Sequence, residues 1–561
     1  MTLEIKFNDT FHFNSTKCLK LKIDIKNFQQ SVSSKMDSGN TTHRRRCSES
    51  LSESVFIGLC KIHELGTPQQ LAMRRDIIEV MNIVQNYLEP NKRNFLWCGS
   101  HGEGFRFVES DMDIMEWPTN YRVFWERSQI QYNNTKRFVP ILTDSSESPP
   151  GFTLLWLHVP IPEAHSCVLF SSLRMKERLY ISSSKYIEKK LLQEPTCVKH
   201  GPCTLNIMEV PRLEIDHAHS FASDLWPPSA SSWIDRCHMW PQPHVVDDII
   251  RSGCHFVAIG HKLGNHENNE WRISFSLAEQ KLVFSMNHCQ FLTYGLLKWF
   301  LNKVINCQLS EERKSLCSYH IKTAIFWVLQ ENIISQWTPQ NLLECFWVCF
   351  KLILKWVYEG VCPNFFIPEN NMFHTNIHGG SQDALFIRLY TLYERGLSCL
   401  FQSPSIRYYI MNELCNPRLP FCINESTLMH DPVFAMELFQ EIHENATLNT
   451  LDLISFIKAL QKIEKLAYSL LTNYHIVMLQ NLSAIILQQT AFSFYNLLHS
   501  SIYMYNDNNK EIYIFDKISC HMLKMAAKFG CISAKLYLAM YHYRTCRYRE
   551  ALSVIERTKV G

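Results

Sequence analysis

Apolar residues at Met73, Ile77, Met81, Val84 and Leu88 recur at four- and three-residue spacing, which predicts a helix with one apolar stripe. Pro68 stands in its first turn and Glu89-Pro90 ends it. Short strand-like runs follow at Phe95 to Cys98, Met112 to Trp117, Tyr121 to Trp125 and Phe152 to Val159, and 178 to 193 reads as a basic helix. This order of elements predicts a mixed α/β domain. From 289 to 402 the period becomes helical: Gln290–Asn306, Ser315–Glu331, Gln340–Tyr358 and Ala384–Leu400, with a loop at 364–373 before the last. Pro404, Pro417, Pro420 and Pro432 mark a linker over 403–432. Beyond it, 433–561 reads as a helical extension. In it Ala534 to Tyr541 and Tyr548 to Leu552 look like one tetratricopeptide unit, its small Ala534 and Ala551 allowing close helix contact, and Ser519 to Phe529 like the second helix of a preceding unit. An ordinary helical bundle is the alternative.

The chain has 561 residues, 46% of them hydrophobic and 19% charged, which excludes a mainly disordered chain. That length suggests roughly three or four domains. A net charge of +3 excludes a polycation, so any nucleic-acid contact must come from a local patch. No apolar run approaches the ~20 residues of a membrane span. The longest, Phe346 to Val357, is broken by Lys351 and Lys355. The start, MTLEIKFNDTF, is not a secretory signal. The 21 cysteines sit mostly in apolar helical patterns, as Cys345 and Cys349 do, and are expected as buried thiols in a reducing compartment. A cytoplasmic protein is expected, with the nucleus as alternative. Residues 1–52, with the triplet Arg44-Arg45-Arg46, read as a mostly disordered tail. A first domain at 53–288 and a helical one at 289–402 follow.

The chemistry concentrates in Phe95-Leu-Trp-Cys-Gly-Ser-His-Gly-Glu-Gly-Phe-Arg-Phe-Val-Glu-Ser-Asp-Met-Asp-Ile-Met115. An apolar strand runs into Gly99-Ser100, and a second begins at Asp111 and Asp113. Residues two apart on a strand share a face, so two carboxylates stand side by side. Their repulsion is relieved by a divalent cation with hard oxygen ligands, Mg²⁺ first and Mn²⁺ as alternative. Gly99 allows close backbone approach to a phosphate, and Ser100 offers it a hydrogen bond. Gly-Ser followed eleven residues later by Asp-x-Asp resembles the signature of nucleotidyltransferases with a polymerase-beta-like palm. Such chemistry needs a third carboxylate on a neighbouring strand. Asp216 is the first candidate, and Glu214, on the same face, the second.

Glu270-Trp-Arg-Ile-Ser-Phe-Ser-Leu-Ala-Glu279 resembles the WRxSFS segment of the Mab (male-abnormal) family, which includes the cyclic GMP–AMP synthase-like receptors. Tyr294-Gly-Leu-Leu-Lys298, Cys317-Ser-Tyr-His-Ile-Lys-Thr-Ala324 and the 364–373 loop resemble the family's next blocks in the same order, with Trp226-Pro and Ser232-Trp-Ile-Asp-Arg236 as further landmarks. The resemblance implies an α+β, bilobal nucleotidyltransferase fold: a polymerase-beta-like palm, a helix-hairpin-helix-like helical lobe and, here, the tetratricopeptide-like extension. It implies Mg²⁺ on Asp111, Asp113 and Asp216, triphosphate on Gly99 and Ser100, nucleotide contacts from Arg272, Ser274, Lys298 and Ser318, and base stacking on Tyr319. It implies ATP and GTP as substrates, a cyclic dinucleotide second messenger as product and innate immune signalling as setting. From the residues alone, Arg272 pairing with Glu270 or Glu279, Lys298 on a solvated helix face and Tyr319 in the core remain alternatives.

The sequence departs from the DNA-sensing members in one respect. The helix after WRxSFS runs through His288-Cys289 straight into the next, without the inserted His/Cys zinc loop. No zinc is expected; Cys254, His255, His261 and His266 form only a loose cluster. This leaves double-stranded RNA or other nucleic acid, another ligand, or no nucleic-acid trigger. The best basic patch is Arg174, Lys176, Arg178, Lys185, Lys189 and Lys190. The competing reading is an inactive scaffold or developmental regulator that binds a protein partner through its C-terminal helices.

Overall fold

The computed structural model describes residues 41–402, apart from 89–92, 108–109, 133–137, 159–165, 176, 195, 210–211 and 308–314, parts of 404–408 and 461–492, and 509–559 apart from 529–531. The linker at 403–432 and the first half of the extension lie essentially outside the described residues.

Helix α1, Thr41–Cys60, begins inside the stretch read as tail. Ser52, Val55 and Leu59 are buried, so apolar packing rather than the Ser/Arg composition decides this segment. Helix α2, Pro68–Leu88, starts where Thr67 and Gln70 cap each other, backbone N–H to side-chain oxygen in both directions (2.8 and 3.2 Å). Its stripe residues Met73, Ile77 and Met81 are buried, and Ile78 packs on Trp97, Met112, Ile114 and Ile215 of the sheet beneath.

Strand β1, Arg93–Cys98, pairs antiparallel with β2, Met112–Pro118. Helix α2 covers the other edge of β1. Asn82 Oδ1 accepts from the Trp97 amide (2.9 Å), and the Asn86 amide group takes both the N–H and C=O of Phe95. Edge groups that would otherwise need water are thereby satisfied. After β3 (Tyr121–Phe124), β4 (Val139–Asp144) and β5 (Phe152–Leu157) come β6, Ser172–Met175, and β7, Arg178–Ile181. The helix read over 178–193 therefore begins as strand, Arg178–Ile181, and is helix only from Ser183. Tyr180 and Ile181 enter the core, and helix α3, Ser183–Gln193, starts only after Ser182 caps it.

Strands β8 (Val198–His200) and β9 (Cys203–Glu209) form a hairpin on β10, Arg212–Ser223. β10 joins the two halves of the sheet: Ile215 to His219 run parallel to β2, and Ser220 to Ser223 pair with β11, Cys254–Val257. β12, Glu270–Ser274, links β11 to β5. Among the described residues the central order is β1-β2-β10-β11-β12-β5-β4-β3.

Helices α4 (Ser276–Phe284), α5 (His288–Phe300), α6 (Ser318–Gln330), α7 (Leu342–Glu359) and α8 (Gly379–Arg395) complete the helical part. A wider helical turn, Leu301–Ile305, extends α5. One apolar cluster runs without a break from Phe221 and Trp271 in the sheet through Phe105, Phe291 and Tyr294 to Phe346 and Phe350. Trp271 and Phe275, in the middle of the WRxSFS segment, are core residues. The described cysteines are thiols, Cys345 and Cys349 among the buried ones. No described helix is long and apolar enough to cross a membrane.

At the C-terminal end, α9 (Asn509–Lys528), α10 (Ile532–Arg544) and α11 (Tyr548–Lys559) pack on one another, with Ala526, Ala534 and Ala551 buried at their contacts. Tyr541 donates to Asp516 Oδ1 (2.7 Å).

Candidate active site

Parallel pairing of β2 and β10 puts Asp216 in register with Asp113. Alternation sends Met112, Ile114 and Ile215 to the face under α2, and Asp113 and Asp216 to the other. Glu214 lies before that register begins and is exposed, so Asp216 is the better-placed third acid. Asp111 and Asp216 offer oxygens that, with a ring nitrogen of His200, all lie within 4.8 Å of one another. His200 Nδ1 lies 3.0 and 2.9 Å from the two Asp216 oxygens. Burial first, then the Asp111 and Asp216 carboxylates, push Asp113 up to about 7.

The Asp113 carboxylate lies against Gly99. A Cβ built at Gly99, whose φ is +60°, would stand 1.8 Å from Asp113 Oδ2. Only glycine allows this approach. Gly99→Ala is expected to destabilise the fold by about 2 kcal/mol or more, from the left-handed φ and the clash together. Its midpoint of urea unfolding should fall, and the Asp113→Gly background should recover most of the loss.

Gly99 and Ser100 open a one-turn helix, Gly99–Glu103. Lys298 Nζ donates to Ser100 Oγ (2.5 Å). Lys298 lies among the rings of Phe105, Tyr294 and Phe107 and is buried, so the solvated-face alternative is excluded. Burial pulls its pKa down from 10.5 to about 8, against the pull of Glu103. A base whose folded pKa is lowered destabilises the fold below that value. The penalty fades as pH rises toward the unfolded pKa. Lys298→Met is therefore expected to gain about 2–3 kcal/mol of stability at pH 7 and almost nothing above pH ~10.5, read from denaturation midpoints at the two pH values.

Behind Lys298 stand two buried carboxylates. Lys322 Nζ bridges Glu103 (2.6 Å) and Glu279 (2.9 Å). Tyr294 donates to Glu103 (3.1 Å), Tyr319 to Glu279 (2.9 Å), and Asn364 Nδ2 to the Tyr319 hydroxyl (3.2 Å). Tyr319 is half-buried, is fixed by this network and lines the cleft. Arg272 is exposed on β12, while Glu270 turns away to accept from the His261 amide (3.0 Å). Ser274 Oγ lies 3.0 Å from Ser276 Oγ. Ser318 is exposed at the start of α6.

Gly99, Ser100, Asp111, Asp113, Asp216, Arg272, Ser274, Lys298, Ser318 and Tyr319 thus all line one cleft of about 960 Å³. Sequence reasoning missed Glu103, Lys322 and His200, and took Glu279 only as a partner for Arg272. Glu103 had a signal, four residues beyond Gly99 and so one turn along the same helix. Lys322 had the same spacing from Ser318. His200 had none, since only the pairing of β9 with β10 brings the hairpin tip to Asp216.

Two other groupings separate. Lys190 does not belong to a basic surface: it is buried and pairs with Glu116 (3.3 Å), which His219 also contacts (2.5 Å). Its long stem faces the sheet because α3 buries the side carrying Tyr186, Ile187 and Lys190. Arg178 pairs with Asp144 (3.0 Å) and covers Trp156, and Lys189 lies 4.7 Å over Phe170. Arg174 and Lys185 are exposed, and Lys176 lies outside the described residues. Cys254 and His255 are buried on β11, whereas His266 pairs with Glu147 (2.8 Å).

Residues 173–284 match the Mab-21 protein nucleotidyltransferase domain, and 289–389 match the Mab-21 protein HhH/H2TH-like domain. These two matches support a Mab-21 and cyclic GMP–AMP synthase-like family for residues 173–389. It is 32% identical to Cyclic GMP-AMP synthase of Mus musculus over 154 residues, covering 24% of this chain and 29% of that protein. It is 28% identical to Cyclic GMP-AMP synthase of Sus scrofa over 193 residues, covering 31% of this chain and 38% of that protein. The matches thus span less than two fifths of the length of either relative. The nucleotidyltransferase match starts at Ser172's neighbour Leu173 and takes in Asp216 and the WRxSFS segment, while Gly99, Asp111 and Asp113 precede it.

Proposed function

We propose that this chain is a divalent-metal-dependent nucleotidyltransferase that joins two nucleoside triphosphates, ATP and GTP first among them, into a cyclic dinucleotide second messenger. One observation carries the reading. Asp111 and Asp216, with Asp113 beside them, converge on the floor of a cleft whose wall holds Ser100 and Lys298. Clustered carboxylates whose charges repel fit a divalent cation, as does the glycine that lets Asp113 sit so close to the backbone.

Asp111, Asp113 and Asp216 would hold that cation, which supplies positive charge at the reacting phosphate. A ribose hydroxyl of one nucleotide attacks the α-phosphorus of the other, the bond to the bridging oxygen breaks, and pyrophosphate leaves. Repeating the transfer within the linear product closes the ring. Ser100 and Lys298 receive the triphosphate, and Arg272 adds a second cationic side chain from β12. Tyr319, fixed by Glu279 and Asn364, offers a ring edge and face to a base. Its rigidity means that this offer is made without reordering.

The test is incubation of the full chain with ATP, GTP and Mg²⁺ or Mn²⁺, with and without duplex RNA, and separation of products by mass. A cyclic dinucleotide that disappears in Asp111→Ala with Asp113→Ala supports the reading. No nucleotide product under any of these conditions overturns it. Duplex RNA is the proposed trigger, with Arg174 and Lys185 as the exposed cations of the surface formed by β6 and α3. We place the protein in the cytoplasm or nucleus.

A second reading, binding of a protein partner, draws on the C-terminal helices. There Leu536, Tyr537, Tyr548, Leu552 and Ile555 are exposed apolar side chains on α10 and α11. Both functions can reside in one chain.

A further inference from the structure

Two residues, Gly201 and Pro202, close the β8–β9 hairpin, with His200 paired to Cys203 across it. Gly201 takes φ +56° at the turn. Because β9 pairs with β10 in register Leu205 to Asp216, the hairpin tip folds over the acidic floor of the cleft. His200 is consequently held at Asp216, yet 59% of its side chain is exposed. An exposed imidazole gains little from packing. Its position is set by the carboxylates it faces, and its ring nitrogen belongs to the same group of mutually close donors as Asp111 and Asp216.

We propose that His200 is a further protein ligand of the metal site, adding one imidazole to its carboxylates. This rests on reading Asp111 and Asp216 as metal ligands. An all-oxygen site suits Mg²⁺, which keeps water and carboxylate around it. An imidazole nitrogen instead favours first-row transition dications. The site therefore takes such an ion, as Co²⁺ would report, in preference to Mg²⁺. His200 reaches the same Asp216 oxygens that a cation would use, so in the metal-free protein it also keeps that carboxylate aimed into the cleft.

The test uses the full chain without nucleotide. Co²⁺ binding is followed by its visible absorption, and Mg²⁺ by competition against it. The variants are His200→Gln, His200→Ala and the pair Asp111→Ala with Asp216→Ala. Glutamine retains a hydrogen-bond donor for Asp216 but lacks the imidazole nitrogen. The expected result is about 10- to 100-fold weaker Co²⁺ binding in both His200 variants, a changed absorption band, and Mg²⁺ affinity close to that of the unsubstituted chain. Equal Co²⁺ affinity in His200→Gln and the unsubstituted chain overturns the proposal and leaves the acidic site standing. So does an equal loss of Co²⁺ and Mg²⁺, which assigns His200 to positioning Asp216 alone. If the double aspartate variant holds both ions as the unsubstituted chain does, the metal site itself is overturned. With 59% of its side chain exposed, His200 contributes little packing, and unchanged thermal midpoints check that its variants fold.

Discussion

On the proposed activity, replacing Asp216 by alanine is expected to lower nucleotidyl transfer about a thousandfold while raising the thermal midpoint. The first half follows from the register of β10 on β2, which makes Asp216 the acid that closes the floor of the cleft opposite Asp111 and Asp113. Positive charge held at a reacting phosphate contributes several kcal/mol to the transition state. At 1.36 kcal/mol per decade, losing about 4 kcal/mol slows the reaction about a thousandfold. The second half follows from the same crowding. Asp111 and Asp216 offer oxygens within 4.8 Å of each other, and Asp113 adds a third carboxylate alongside. At an effective dielectric of ~20, one such like-charge pair costs about 3 kcal/mol. His200 offsets part of this through its contact with Asp216. A net relief of about 1 kcal/mol would move the midpoint by roughly 2–4 °C. Activity by product formation and stability by calorimetry, both without added metal during unfolding, check the two halves. A midpoint that falls by several degrees would mean that Asp216 serves the fold rather than the site.

The parts of the site differ in how legible they were in the sequence. Asp111, Asp113 and Gly99-Ser100 lie within one strand-turn-strand stretch, so local spacing alone placed them together. Asp216 depends on a parallel pairing across a hundred residues. Only its position beyond an apolar strand, and the family resemblance, pointed to it. The helical part was legible because its elements are long and strongly periodic. Gln340–Tyr358 became α7, Leu342–Glu359, with its apolar side against α5. The stretch 178–193 failed because four residues of alternating pattern precede the cap at Ser182. A short strand that pairs with β5 and β6 is invisible to helical periodicity. Lys190 failed for a related reason. Its charge suggested water, whereas its place on α3 turns it inward to Glu116, where an ion pair compensates its burial. Sequence spacing shows which residues share an element. Which carboxylate waits on the other side of a buried lysine depends on the tertiary contacts.

That distinction is sharpest at Lys322, and the expected result there is loss of the fold before loss of chemistry. Lys322→Met removes the ammonium that bridges Glu103 and Glu279. Those carboxylates are 2% and 8% exposed, so water cannot take the lysine's place. Burial alone would lower the Lys322 pKa, but Glu103 and Glu279 more than reverse it and hold the group charged. Breaking a buried pair by removing one partner costs about 3–5 kcal/mol, because the remaining charge stays in low dielectric. Here two charges remain, facing Lys298, which donates to Ser100. The denaturation midpoint should fall by an amount comparable with much of the stability of an ordinary domain. Adding Glu103→Gln and Glu279→Gln should recover most of the loss, because the neutral amides no longer need the ammonium. The triple variant is expected to fold and to remain weak in nucleotide binding, since Tyr319 loses its charged acceptor at Glu279 and Tyr294 its own at Glu103. Recovery of stability with the triple substitution assigns the single-variant loss to uncompensated charge rather than to missing packing. A single variant as stable as the parent would show that water or a shifted proton reaches Glu103 and Glu279, and the network would then be no stronger than an exposed pair, worth 1 kcal/mol at most.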